Sequence, residues 1–243
     1  MLVCDIDGTL VGCAPGVQAF NGWRVGQSQL LFGVATGRSF HSALQILEQS
    51  GIDWPAFLIT SVGAQIHRLD DNGVTYTRER DWQAHIDRGW SRQAILEVLA
   101  GVAELVPQSA LEQRQHKISY LCEAGLDIAP RLRVLLAEQG LAARVIHSNA
   151  RCVDILPEAA SKGAAVTWLA ERYGINREWV YAAGDSGNDR EMLQALPCAI
   201  IVANHCDGLA NAPGLGHAYR ACAGHALGVI EGVAHFRAQR HVS

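Results

Sequence analysis

The sequence has 243 residues, a formal net charge of −4, 49% hydrophobic residues and 18% charged ones. That composition supplies a sizeable core and excludes a disordered chain, and the acidic balance argues against nucleic-acid binding. Apolar runs are too short to cross a bilayer, and the sequence enters a strand-like stretch at Leu2 without a leader-like segment, so a cytoplasmic protein is expected. The length suits one large domain or a domain carrying a smaller insert. The seven cysteines include no Cys-x-x-Cys, which reads as reduced thiols, and the ten histidines show no His-Glu-x-x-His or comparable ligand spacing.

Residues 2–6 read as a short buried strand stopped by Gly8. Alternation along that strand sends Asp5 and Asp7 to the same side of its end. Two carboxylates so close can divide their work, one ionised as ligand or nucleophile and one carrying a proton, because like charges push their pKa values apart. A solvated Asp-rich turn has the same letters. A calcium loop is excluded, since its sixth and twelfth positions hold Leu10 and Gly16. Residues 30–35 read as a strand leading into Thr36-Gly37-Arg38-Ser39, and 39–49 as a helix ended by Gly51. Thr36 then stands between strand and helix, where a hydroxyl and free N–H groups can hold phosphate oxygens; a plain strand-end turn is the other reading. Residues 56–61 read as a strand, followed by Val62-Gly63-Ala64-Gln65-Ile66-His67 and a hairpin turn at Asp70-Asp71-Asn72-Gly73 with its return strand at 74–77. The alternation argues for an α/β fold, a parallel sheet with helices on both faces.

The pattern changes over residues 78–155. A helix is expected at 87–102, a strand at 117–122, a helix at 128–139 closed by Gly140, and strands at 143–147 and 152–156 flanking Ser148-Asn149-Ala150-Arg151. This is an α+β insert with an antiparallel sheet, dividing the chain into a core of 1–77 and 156–243 and an inserted domain of 78–155. The parallel pattern resumes with a helix at 161–173 opened by Ser161-Lys162-Gly163, a strand at 180–183, a helix at 189–195, a strand at 199–202 and a last helix at 225–236. Residues 209–216 read as a surface loop. Gly184-Asp185-Ser186-Gly187 falls short of a nucleophile elbow, because Asn188 stands in place of the closing glycine.

Four pieces in order, Asp5-Ile6-Asp7-Gly8-Thr9, Val34-Ala35-Thr36-Gly37-Arg38-Ser39, Ser161-Lys162-Gly163 and Gly184-Asp185-Ser186-Gly187-Asn188-Asp189, resemble the four signature motifs of the haloacid dehalogenase phosphatase superfamily. The resemblance implies a Rossmann-like core, with the insert as a C2-type cap that closes over the site and excludes water. It implies Asp5 as nucleophile and Asp7 as the acid and base. Magnesium, which favours oxygen ligands with one or two carboxylates, would take Asp5, the backbone carbonyl of Asp7, and Asp185. Asp189 would act through a water or by orienting Lys162. Gly8, Thr36, Gly37, Lys162 and Asn188 would bind phosphate, and Asp5, Asp7, Thr36, Lys162 and Asp189 form the implied catalytic set.

Ser61-Val62-Gly63-Ala64-Gln65-Ile66, Lys117-Ile118-Ser119-Tyr120, Asp154-Ile155-Leu156-Pro157 and the stretch from Gly228 to Phe236 further resemble sucrose-phosphate phosphatases, with similarity extending to mannosylfructose-phosphate phosphatases. That resemblance implies a magnesium-dependent phosphatase for a phosphorylated disaccharide, foremost sucrose 6-phosphate, with Gly63, Gln65 and Lys117 reading the sugar. Ala64-Gln65 departs from the Thr/Ser-Glu of the sucrose enzymes, exchanging a carboxylate for an amide that both donates and accepts. Mannosylfructose phosphate and glucosylglycerol phosphate are the alternative substrates. A non-catalytic domain of a sucrose-phosphate synthase is the alternative of another class, and the complete acidic and basic set weighs against it. The expected partners are a small sugar phosphate and a sucrose-phosphate synthase, fused or separate; a monomer without membrane or nucleic-acid contact is expected.

Overall fold

The computed structural model describes residues 1–148 and 151–240. In chain order the first half of the larger unit holds β1 (Leu2–Cys4), α1 (Ala14–Val25), β2 (Phe32–Ala35), α2 (Phe40–Ser50), β3 (Phe57–Thr60), β4 (Gln65–Leu69) and β5 (Tyr76–Arg78). β1, β2 and β3 are buried at every position. Continuous apolar runs of this kind mark strands covered on both faces, which is why no period-two alternation is visible in them. The sequence pattern did not reveal α1, because Gly16 and Gly22 dilute its periodicity; Pro15 in its first turn is the available start signal.

The smaller unit, Glu79–Ser161, is contiguous. It contains α3 (Arg80–Ile86), α4 (Arg92–Leu99), β6 (Val106–Pro107), β7 (Ile118–Leu121), α5 (Ala129–Glu138), β8 (Ala143–Ser148) and β9 (Cys152–Pro157). Its sheet runs β6-β7-β9-β8 with every neighbour antiparallel. Ile95, Leu99, Leu132 and Leu136 pack with Ile118, Tyr120, Val145, Val153 and Ile155 in one apolar cluster. The single helix expected at 87–102 is instead α4 alone, preceded by α3. Gly89 at φ 75° interrupts the helical path, and Ser91 caps α4 by accepting from the Ala94 N–H. The sequence division placed the return to the core at 156; β9 continues the smaller sheet through Pro157, and the larger unit resumes at Lys162. Asn149 and Ala150 of the expected hairpin lie outside the described residues.

The larger unit, Met1–Arg78 with Lys162–Ser243, then adds α6 (Lys162–Arg172), β10 (Tyr181–Gly184), α7 (Arg190–Ala195), β11 (Cys198–Ile201), α8 (Asp207–Ala210), β12 (Tyr219–Arg220) and α9 (His225–Arg240). Its sheet, among the described residues, has the order β12-β11-β10-β1-β2-β3-β4-β5, parallel from β12 to β3 and antiparallel for the β3–β4 and β4–β5 pairs. The expected surface loop at 209–216 starts inside α8 and buries Leu209 and Leu215 completely or nearly so. Among the described residues no helix is long and apolar enough to cross a membrane.

Strand order decides where chemistry can sit. The chain leaves β1 for β2 on one side and returns as β10 on the other, with Cys4 paired to both Val34 and Ala183. Such a reversal opens a crevice at the carboxyl ends of the strands.

Candidate active site

Three motif residues stand immediately beyond the ends of adjacent parallel strands: Asp5 after β1, Thr36 after β2 and Asp185 after β10. Lys162, the first residue of α6, is fully enclosed. Its Nζ donates to Asp5 Oδ1 at 2.7 Å, Asp189 Oδ1 at 2.7 Å and Asn188 Oδ1 at 2.9 Å. A lysine ammonium has three protons, so all three are committed. Asp189 is buried, and its other oxygen, Oδ2, accepts from the backbone N–H groups of Asp185 and Ser186 at 3.0 Å each. Both Asp189 oxygens are therefore occupied by the protein, in the arrangement of a residue that orients Lys162 and shapes the Asp185 turn.

Asp185 accepts from the Thr9 hydroxyl at 2.8 Å through Oδ1, and its Oδ2 lies against Gly8. A Cβ at residue 8 would come within 2.4 Å of that oxygen, and Gly8 has φ 77°, so glycine is required twice over. The Gly8 carbonyl accepts from Asn204 Nδ2 at 2.7 Å, and Asn204 Oδ1 accepts from the His225 N–H at 2.7 Å. Thr9 and Asn204 were not singled out from the sequence. Thr9 adjoins the first motif; Asn204 reaches it from the far end of the chain, with no local signal.

Thr36 is buried, and its hydroxyl accepts from the Arg38 N–H at 3.2 Å. Gly37 faces Asn188, whose Nδ2 would lie 3.7 Å from a Cβ at residue 37. The Thr36 carbonyl accepts from Val62 N–H at 3.0 Å and the Arg38 carbonyl from Ser61 N–H at 2.7 Å. These bonds hold Ser61 at φ 53° and Val62 at φ 60°, conformations that cost roughly 1–3 kcal/mol each for non-glycine residues. Gly63 completes that turn and Gln65 opens β4, half-buried and opposite Thr60.

Asp7 differs from Asp5. Asp5 is buried, whereas the Asp7 side chain is half exposed and forms a two-point ion pair with Arg38, Nε to Oδ2 and a terminal nitrogen to Oδ1, each at 2.7 Å. Lys117 belongs to the smaller unit. It is nearly buried there, with Nζ 3.3 Å from Asp154 Oδ1 and 3.7 Å from Glu112 Oε2, while the Ser119 hydroxyl donates to the same Asp154 oxygen at 2.7 Å.

Burial pushes the Asp5 carboxyl up to about 8, Lys162 pulling against this and Asp189 and Asp185 adding to it. Asp185 is raised to about 6, mainly by burial and then by Asp189. Burial alone would lower Lys162, but Asp189 and Asp5 more than offset it and hold the ammonium above its ordinary value. With Asp5, Asp185 and Asp189 ionised, three negative charges face one positive charge, a deficit that one divalent cation would balance. Each of these carboxylates offers an oxygen within 4.8 Å of the others, a hard oxygen set of the kind magnesium takes. The residues present therefore fit the ion. Asp189 is already occupied, so Asp5 and Asp185 would hold it, with the backbone carbonyl of Asp7 implied by the motif.

A parallel sheet with this crevice, and a lysine locked among aspartates at its strand ends, is the core arrangement of the haloacid dehalogenase fold. A haloacid dehalogenase-like protein from Bacillus subtilis shares the fold, with a TM-score of 0.71 at 19% identity over 96% of this chain and 90% of that one. The family model for sucrose-6F-phosphate phosphohydrolase matches residues 1–237, and the chain belongs to that family. It is similar to a sucrose-phosphatase from Synechocystis, solved with sucrose and phosphate, with a TM-score of 0.90 and 29% identity over 97% of both chains. Sucrose-phosphatase 1 of Nicotiana tabacum is 32% identical over 97% of this chain and 59% of that protein, so the chain spans about three-fifths of that relative. A mannosylfructose-phosphate phosphatase of Agrobacterium fabrum is 29% identical over 97% of this chain and 96% of that protein.

Proposed function

We propose that this chain is a magnesium-dependent phosphomonoesterase acting on a phosphorylated disaccharide, foremost sucrose 6-phosphate, in the cytoplasm as a step of sucrose formation. The observation that carries the reading is the Asp5–Lys162–Asp189 chain beside Asp185, within a family-wide match. Asp5 attacks phosphorus and forms an acyl phosphate as the leaving oxygen takes a proton from Asp7. Asp7 then takes a proton from the water that cleaves the acyl phosphate, returning Asp5. Thr36, Gly8, Gly37 and Asn188 hold the phosphate oxygens, Lys162 joins them by turning to phosphate the proton it gives Asn188, and Asp189 keeps Lys162 in place. Magnesium, when bound, offsets the negative charge shared by nucleophile and phosphate.

Activity is expected to vanish in excess chelator, return with magnesium and be inhibited by calcium, whose looser coordination misplaces the attack. Phosphate release from a panel of sugar phosphates, with and without chelator, is the test; full activity in chelator overturns the metal assignment.

Gly63, Gln65 and Lys117 are proposed to read the sugar. Gln65→Ala is expected to weaken disaccharide phosphate hydrolysis by about 1–3 kcal/mol, the size of an unpaired buried hydrogen bond, and to leave a small aryl phosphate nearly unaffected. Lys117→Ala is expected to do the same, with melting measured alongside because Lys117 also neutralises Asp154. Equal losses on both substrates remove the sugar role.

The end-to-end match with the Agrobacterium relative supports mannosylfructose phosphate as the second substrate to test. A glucosylglycerol-phosphate synthase of Pseudomonas anguilliseptica, 26% identical over 97% of this chain but only 30% of its own length, supports pairing with a sugar-phosphate synthase, fused or separate. Glucosylglycerol phosphate therefore joins the panel. A monomer is the proposed state.

A further inference from the structure

The Asp7 backbone is bridged to Val11, which leaves its side chain to be placed. That side chain is half exposed, and the residue that follows, Gly8, is in a left-handed conformation. Arg38 supplies the constraint. Its guanidinium meets both Asp7 oxygens at 2.7 Å, and its remaining terminal nitrogen donates to the Ser42 hydroxyl at 2.9 Å in the first turn of α2. The Arg38 backbone is fixed too, its N–H on the Thr36 hydroxyl and its carbonyl on the Ser61 N–H. A bidentate arginine–carboxylate pair sets the plane of the carboxylate as well as its position, which a lysine cannot do. Stability is not a sufficient account of the pair, because exposed ion pairs contribute only about 0–1 kcal/mol.

We propose that Arg38 is a positioning residue for Asp7: when Asp7 carries a proton, one oxygen keeps its Arg38 contact and the other, bearing the proton, is aimed at the oxygen that leaves with the sugar. The inference rests on the phosphatase reading above and adds a residue to it. Displacement by about 1 Å costs roughly 100-fold when geometry governs the step, and a placed general acid contributes about 10²–10⁴-fold. The dependence on Asp7 must therefore scale with how badly the leaving group needs a proton.

The test compares kcat/KM, which reports the step in which the leaving group departs, on three substrates with magnesium present. Sucrose 6-phosphate has a sugar and an alkoxide leaving group, glycerol phosphate an alkoxide leaving group only, and 2,4-dinitrophenyl phosphate a leaving group that departs without a proton. Arg38→Met is expected to lower kcat/KM about 100-fold on both alkyl phosphates and less than about 3-fold on the dinitrophenyl ester. Arg38→Lys, which restores charge without the two-point hold, is expected to remain at least about 10-fold down on the alkyl phosphates. In an Asp7→Asn background, Arg38→Met is expected to add little, because its target is gone. Equal losses on all three substrates mean a structural role, a loss confined to sucrose 6-phosphate means sugar contact, and full rescue by lysine means simple charge; each overturns the assignment. A wild-type chain that hydrolyses none of the three overturns the phosphatase reading and this role with it.

Discussion

Asp5→Asn is expected to reduce phosphate release by roughly 10⁴-fold or more, the scale seen when a nucleophile is deleted, while the protein melts no lower than wild type. The amide occupies the same space but cannot attack as an anion. Stability is spared because the carboxylate it replaces is buried beside Asp189 and Asp185, and burial raises its pKa to about 8. In metal-free protein a carboxyl raised from 3.8 to about 8 binds more protons folded than unfolded across that window. Stability is therefore highest at the acid end and falls as pH rises through the window. The metal-free wild type should lose melting temperature between about pH 5 and about pH 8, with Asp185, raised to about 6, contributing in the lower part. Asp5→Asn should flatten most of that fall, and magnesium should oppose it in the wild type by binding the ionised carboxylates. Near-native turnover in Asp5→Asn rules out the covalent route; an unchanged pH slope rules out Asp5 as its source.

Lys162→Met should lose both activity and stability. It removes the cation that meets Asp5 and Asp189 at 2.7 Å, with the amine wholly enclosed. Breaking a buried pair from one side costs about 3–5 kcal/mol, because the partner charge stays buried and unpaired. Loss of a positive contact to the phosphate oxygens should lower kcat by roughly 10²–10³-fold. Urea denaturation in chelator separates the two effects. Lys162→Met combined with Asp189→Asn should regain much of the stability, since one stranded charge is gone, and regain none of the activity. A single variant as stable as wild type contradicts the buried electrostatics; a double variant that recovers turnover contradicts any role for Lys162 at the phosphate.

The parallel core was readable because its strands are unbroken apolar runs closed by motif residues, and a strand that ends in Asp5, Thr36 or Asp185 announces its own carboxyl end. α1 escaped notice because its glycines blur the helical period, and the split between α3 and α4 because one residue, Gly89, changes the direction of a segment whose apolar spacing runs on. Spacing alone put Asp5 and Asp7 on one side of a strand end. It could not reveal that one is sealed against lysine and the other held at the surface by Arg38, because that depends on α2 and α6 arriving from elsewhere. Asn204 was illegible for the same reason, its partner Gly8 being met only after nearly the whole chain has folded back.

The central pairing of Leu2 with Tyr181 also governs the order of assembly. During synthesis β1 emerges before both of its neighbours in the sheet, and one of them, β10, follows only after the whole insert. Closing so long a loop is slow, since the entropy is lost before the strand contacts are gained. Glu79–Ser161, contiguous and with its own apolar cluster, is complete well before Tyr181 is made. The nascent chain thus carries the insert after an incomplete sheet, with one edge of β1 exposed for the interval. Slowing translation between Ser161 and Tyr181 should lengthen that interval, and aggregation or chaperone capture is the cost to be measured there.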